Sequence, residues 1–118
     1  MMSFGHHHAI KNAFKKGLMP DNFKGIYGKV LTLDTVSIEH ITPRSQGGKL
    51  RLNNVALADR ATNRLRGSKP IEEFVTRDMW IDYLKQLKKV RSQHFNGFEY
   101  IKAICKRFGI KVGEVMKK

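Results

Sequence analysis

Cysteine, acidic residues and long apolar runs are what this chain of 118 residues has little of. The lone Cys105 permits no internal disulfide, which agrees with a reducing compartment. No stretch is apolar for long enough to cross a bilayer, and no apolar core of a secretory leader is present, so a soluble intracellular protein is expected. Internal repeats and low-complexity tracts are also missing. Acids are scarce, with 10 Asp plus Glu against 23 Lys plus Arg, and the formal charge is +13. A field of that sign favours nucleic acid or an anionic membrane surface as partner. A generic basic protein such as a ribosomal one has the same balance. The length is that of a single domain, residues 1–118, with a modest core.

Periodicity divides the chain into a few elements. His8 to Lys16 predicts a short basic helix ended by Gly17, followed by a turn at Pro20-Asp21-Asn22. The preceding Met2 to His8 segment, with its three consecutive histidines, reads as a disordered tail rather than a metal site. Lys29-Val30-Leu31-Thr32-Leu33 and Val36 to Ile41 are alternating β-branched runs, read as a hairpin or two short strands. Thr42 to Leu52 holds Pro43 and Gly47-Gly48 and predicts a compact loop. A brief returning strand, Asn54 to Leu57, then leads into a helix over Ala58 to Arg66, with Leu57, Ala61 and Leu65 facing inward and Gly67 as its stop. Pro70 is placed to open another helix, with Glu72 and Glu73 in its first turn. Trp80, Tyr83, Leu84, Leu87 and Val90 form one helical stripe; Phe98, Ile101, Ile104, Cys105 and Phe108 form another, ending at Gly109. The intervening Lys85, Lys88, Lys89 and Arg91 make either a nucleic-acid face or a solvated one.

The chemistry concentrates in Glu39-His40-Ile41-Thr42-Pro43-Arg44-Ser45-Gln46-Gly47-Gly48, followed by Asn54 and Asn63. A neutral imidazole at His40 can take a proton from water near neutrality, as attack on a phosphodiester requires. Glu39 and Asn63 offer a carboxylate and an amide oxygen, hard ligands suited to Mg²⁺ or Mn²⁺. Such an ion stabilises the charge that develops on a phosphodiester as it is cleaved. Asp59 lies one helical turn before Asn63, close enough to approach the ion, though capping the helix is its simpler role. Arg44, Arg64, Arg66 and Lys69 flank the set and are candidate phosphate contacts.

His40 to Asn54 is fourteen residues and Asn54 to Asn63 is nine. With the flank Asn63-Arg64-Leu65-Arg66-Gly67, the stretch from about Val36 to Gly67 resembles the HNH endonuclease motif in an H-N-N form. That form occurs in the nuclease domain of RNA-guided CRISPR effectors and in small phage and homing nucleases. The resemblance implies an α+β fold with a ββα-metal core over 29–67, an added N-terminal helix and a C-terminal helical part over 70–110. It implies a Mg²⁺-dependent DNA endonuclease in which His40 is the general base, Glu39 and Asn63 are the metal ligands and Asn54 braces the loop that fixes His40. Double-stranded DNA is the implied partner, in a bacterial or phage-infected cell. One site cuts one strand, so a monomer nicks and a homodimer breaks both. No second DNA-reading module is evident, so specificity is low or comes from a protein partner. Many small relatives brace the motif with two Cys-x-x-Cys pairs on a structural zinc; here Phe23 to Gly28 occupies the place of the first pair, so no structural zinc is expected and helical packing must substitute. The contrasting expectation is a non-catalytic basic DNA- or RNA-binding module on the same scaffold.

Overall fold

Val36–His40 and Val55–Asp59 form strands β1 and β2, paired antiparallel with Val36 opposite Asp59 and His40 opposite Val55. The computed structural model describes residues 7–90 and 97–116, with side chains from Ile10 onward. Expectations for residues 1–6 and for Arg91 lie outside the described residues. The rest is a mixed α+β arrangement: helices α1 (His7–Lys15), α2 (Arg60–Arg66), α3 (Arg77–Leu87), α4 (Gly97–Phe108) and α5 (Val112–Met116) surround the two-stranded sheet. No helix among the described residues is long and apolar enough to cross a membrane.

A two-stranded sheet leaves each strand with an open edge, and here β2 is covered by side chains from the C-terminal helices. The Leu57 amide donates to the Tyr83 hydroxyl at 2.9 Å, and the Tyr100 hydroxyl donates to the Val55 carbonyl at 2.6 Å. The two hydroxyls lie 3.0 Å apart. Ile26 donates its amide to the Leu57 carbonyl at 3.0 Å, so the segment before β1 closes the remaining gap. Buried backbone groups left unpaired are costly, and two tyrosines supply the missing partners. Burial pushes both phenols above their ordinary value. The predicted stripes of α3 and α4 carry this packing: Trp80, Tyr83, Leu84, Leu87, Ile101, Ile104 and Cys105 are buried, and Trp80 stacks on Phe108 with centroids 4.6 Å apart. Val90 and Phe108 are half-buried, and Phe98 is exposed.

Several expectations need correction. Lys29 to Leu33 is not a strand: its one bridge joins Val30 to Lys24, and Leu31 donates to the Phe23 carbonyl at 2.8 Å. The hairpin partner of β1 is β2, across the loop, because a turn at Thr32 to Thr35 redirects the chain before β1 begins. α2 starts at Arg60 rather than Ala58, because the Asp59 side chain accepts from the Thr62 amide at 2.9 Å and caps it. Its inward residues are Thr62, Asn63 and Arg66; Ala61 is exposed, and Leu65 is 70% exposed. Pro70 opens only a short 3-10 turn, Ile71–Glu73. α3 begins at Arg77, where the Thr76 hydroxyl accepts from the Met79 amide at 3.2 Å. His7 and His8 already belong to α1, and α5 had no counterpart in the sequence reading.

Candidate active site

The end of β1 and the inner face of α2 meet at Glu39. Its carboxylate is buried, which disfavours the charged form and raises its proton affinity above the ordinary value. Tyr27, Arg66 and the backbone of His40 oppose that. The Tyr27 hydroxyl donates to Oε2 at 2.6 Å, the Arg66 guanidinium lies 3.2 Å from Oε1, and the Asn63 amide stands 2.6 Å from Oε2 and 2.7 Å from Oε1. Two arrangements of that amide are open. With nitrogen toward Glu39 it donates to both carboxylate oxygens, while its oxygen accepts from Ser37 Oγ at 3.2 Å. With oxygen toward Glu39, three oxygens converge, and only a shared cation would favour that. The nitrogen-inward arrangement satisfies both groups without an ion. A hard divalent ion would turn the amide over, and Glu39 and Asn63 would then hold it through a carboxylate and an amide oxygen, with water completing the shell. Among the described residues no group of three or more His, Cys, Asp or Glu side chains converges. Asp59 caps α2 through Oδ2, which also accepts from Thr62 Oγ1 at 2.6 Å, while its buried Oδ1 has no hydrogen-bond partner.

Arg66 corrects the expectation of a phosphate contact. Its side chain is 1% exposed and faces inward. Nε donates to the Lys69 carbonyl at 2.7 Å, Nη1 to that of His40 at 3.0 Å, and Nη2 to that of Ile41 at 2.6 Å. It stitches α2 to the end of β1. Arg44, Arg64 and Lys69 are exposed, as a phosphate contact requires.

His40 is half-buried at the end of β1. Strand alternation gives its side chain the opposite direction to that of Glu39. Because His40 is the last residue of β1, the two can flank one phosphate only around the end of the strand. Its Nε2 is shielded from solvent and has no hydrogen-bond partner. Burial, and then the positive charge of Arg44, lower its proton affinity below the ordinary imidazole value. A direct check is the imidazole NMR titration, whose midpoint is expected below the ordinary imidazole value of about 6.5 and to move back toward it in Arg44→Ala. Because the fold disfavours the imidazolium, the unfolded chain binds the proton more readily. This contribution to stability is present above the ordinary value and is lost as pH falls below it. A midpoint above 6.5 would reverse the picture.

Asn54 is the buried brace of the loop between the strands. Its Oδ1 accepts from the Thr42 amide at 2.7 Å, and its Nδ2 donates to the carbonyls of Thr42 at 3.1 Å and Lys49 at 2.9 Å. What holds Asn54 in turn has no sign in the local sequence pattern. Arg107 of α4 donates to Asn54 Oδ1 at 2.9 Å, to the Asn53 carbonyl at 2.8 Å and to Thr42 Oγ1 at 2.7 Å. Tyr27 was missed likewise. Both meet the motif only through the tertiary fold, and neither belongs to a local pattern.

Beside the loop lies an open groove of about 300 Å³ lined by Lys49, Arg51, Asn53 and Arg107 among others. No family model, curated protein or solved structure matches this chain.

Proposed function

We propose that this chain is a divalent-metal-dependent DNA endonuclease of the HNH type. The observation that carries the proposal is the placement of Asn63, on α2, directly against the Glu39 carboxylate at the end of β1, where turning the amide over would set its oxygen beside both carboxylate oxygens. Glu39 and Asn63 would hold Mg²⁺ or Mn²⁺, which when bound would supply Lewis-acid stabilisation of the charge that develops on the phosphodiester. His40, kept neutral by burial and by Arg44, accepts the proton of the attacking water. With Nε2 shielded, Nδ1 is the nitrogen assigned to that task. Asn54 and Arg107 fix the loop that follows His40, so the imidazole is aimed by backbone rather than by a carboxylate. Exposed Arg44, Arg64 and Lys69 grip the sugar-phosphate chain without reading sequence. Low intrinsic specificity follows, as does nicking by a monomer.

A second reading, a non-catalytic nucleic-acid-binding module, has one observation on its side: Glu39 is already charge-paired with Arg66 and hydrogen-bonded by Tyr27. Supercoiled plasmid separates the two. The nuclease relaxes it with Mg²⁺ or Mn²⁺ and stops when the ion is chelated. Cleavage undiminished in excess chelator removes the metal from the mechanism. Binding that weakens steeply with salt, with no cleavage under any divalent ion, establishes the binding module.

A further inference from the structure

We infer that Arg66 is a fixed internal counter-cation of Glu39, which balances that carboxylate in the metal-free protein and holds down its affinity for a divalent ion. The inference rests on the proposal that Glu39 and Asn63 form the metal site. A surface arginine paired with a carboxylate can swing into solvent when a metal ion arrives. Arg66 cannot. Its guanidinium is held by the carbonyls of Lys69, His40 and Ile41, none of which belongs to Glu39. With the side chain 1% exposed, no solvated alternative lies within reach.

The positive charge therefore stays 3.2 Å from Glu39 Oε1 whether or not a metal is bound. Tyr27 adds to the effect by occupying Oε2 with a hydrogen bond of 2.6 Å. An incoming dication shares one carboxylate with a guanidinium, and like charges a few ångströms apart repel strongly where water is excluded. Burial without Arg66 would leave Glu39 as an uncompensated anion, which must take up either a proton or a metal ion. Arg66 supplies the third option, and the site stays charge-balanced between encounters with metal.

The test measures Mn²⁺ binding to the full chain by electron paramagnetic resonance, with thermal stability as a second readout. Wild type, Arg66→Lys and Arg66→Gln are compared in the absence of DNA. Arg66→Gln removes the charge while keeping a donor for the backbone carbonyls, and is expected to bind Mn²⁺ at least about tenfold more tightly than wild type. Its melting temperature should rise with Mn²⁺ far more than that of wild type, because the ion replaces the lost counter-charge. Arg66→Lys retains the charge and should stay within about threefold of wild type. If Arg66→Gln is unfolded in metal-free buffer, recovery of the fold by Mn²⁺ supports the inference, and failure to recover overturns it. Equal Mn²⁺ affinity in all three proteins also overturns it and leaves the metal site standing. Absence of Mn²⁺ binding from every form removes the metal site itself, and the inference with it.

Discussion

His40→Ala is expected to abolish DNA cleavage, by at least about a hundredfold in rate, while DNA affinity stays close to that of wild type. The imidazole acts on water and contributes little to holding the duplex, so the loss belongs to the chemical step. The fold should survive the change. His40 sits at the end of β1 and is opposed to Val55 through backbone pairing, and its Nε2 makes no hydrogen bond that would be forfeited. Its carbonyl, which Arg66 uses at 3.0 Å, is retained by alanine. The measurement is single-turnover cleavage of a short duplex, with affinity taken separately in Ca²⁺ and melting temperature as a control. A variant that binds and melts like wild type, yet still cuts at a similar rate, would make His40 a packing residue. The proposed mechanism would then have no base.

Sequence patterns carried the parts of this molecule where apolar side chains face inward. The α3 and α4 stripes were legible because Trp80, Tyr83, Leu84, Leu87, Ile101 and Ile104 recur at helical spacing and are all buried. β1 was legible as a β-branched run, and the cap at Asp59 as a helix signal. The pattern failed where polar groups face inward instead. On α2 the spacing of Leu57, Ala61 and Leu65 pointed to the wrong face, since Leu57 lies on β2 and cannot set the phase of a helix that begins at Arg60. What sets that phase is the polar pairing of Asn63 and Arg66 with Glu39, invisible to any count of apolar residues. The same blindness sent Arg66 to the surface, because a charge is read as exposed unless its partner is known. Motif spacing still named Glu39, Asn54 and Asn63. What it could not supply were Tyr27 and Arg107, which reach those residues from elements remote in sequence.

Gly47 and Gly48 are adjacent, and they are expected to respond very differently to substitution. Gly47 adopts a left-handed backbone, with φ at 87°, and ends the short turn Arg44–Gln46 with its amide bonded to the Arg44 carbonyl. A side chain there meets open space, so the cost is conformational alone. Asparagine tolerates that region, and Gly47→Asn should destabilise by no more than about 1 kcal/mol. Gly48 is needed for close approach. A Cβ at Gly48 would collide with the Thr42 oxygen and lie 2.9 Å from Asn54 Nδ2. The first of these is backbone, and the second is the atom that ties Thr42 to Lys49. Neither can yield by changing a rotamer, so the loop must open and Asn54 must give up its hydrogen bonds. Gly48→Ala is therefore expected to cost about 3 kcal/mol or more and to lower the melting temperature by roughly 10 °C. Cleavage should fall with it even at temperatures where the protein stays folded, because Thr42 and Asn54 fix the chain that leaves His40. Melting curves and plasmid relaxation on both variants check this. If Gly48→Ala melts and cuts like Gly47→Asn, the loop is slack, and Asn54 is not the brace that aims the imidazole.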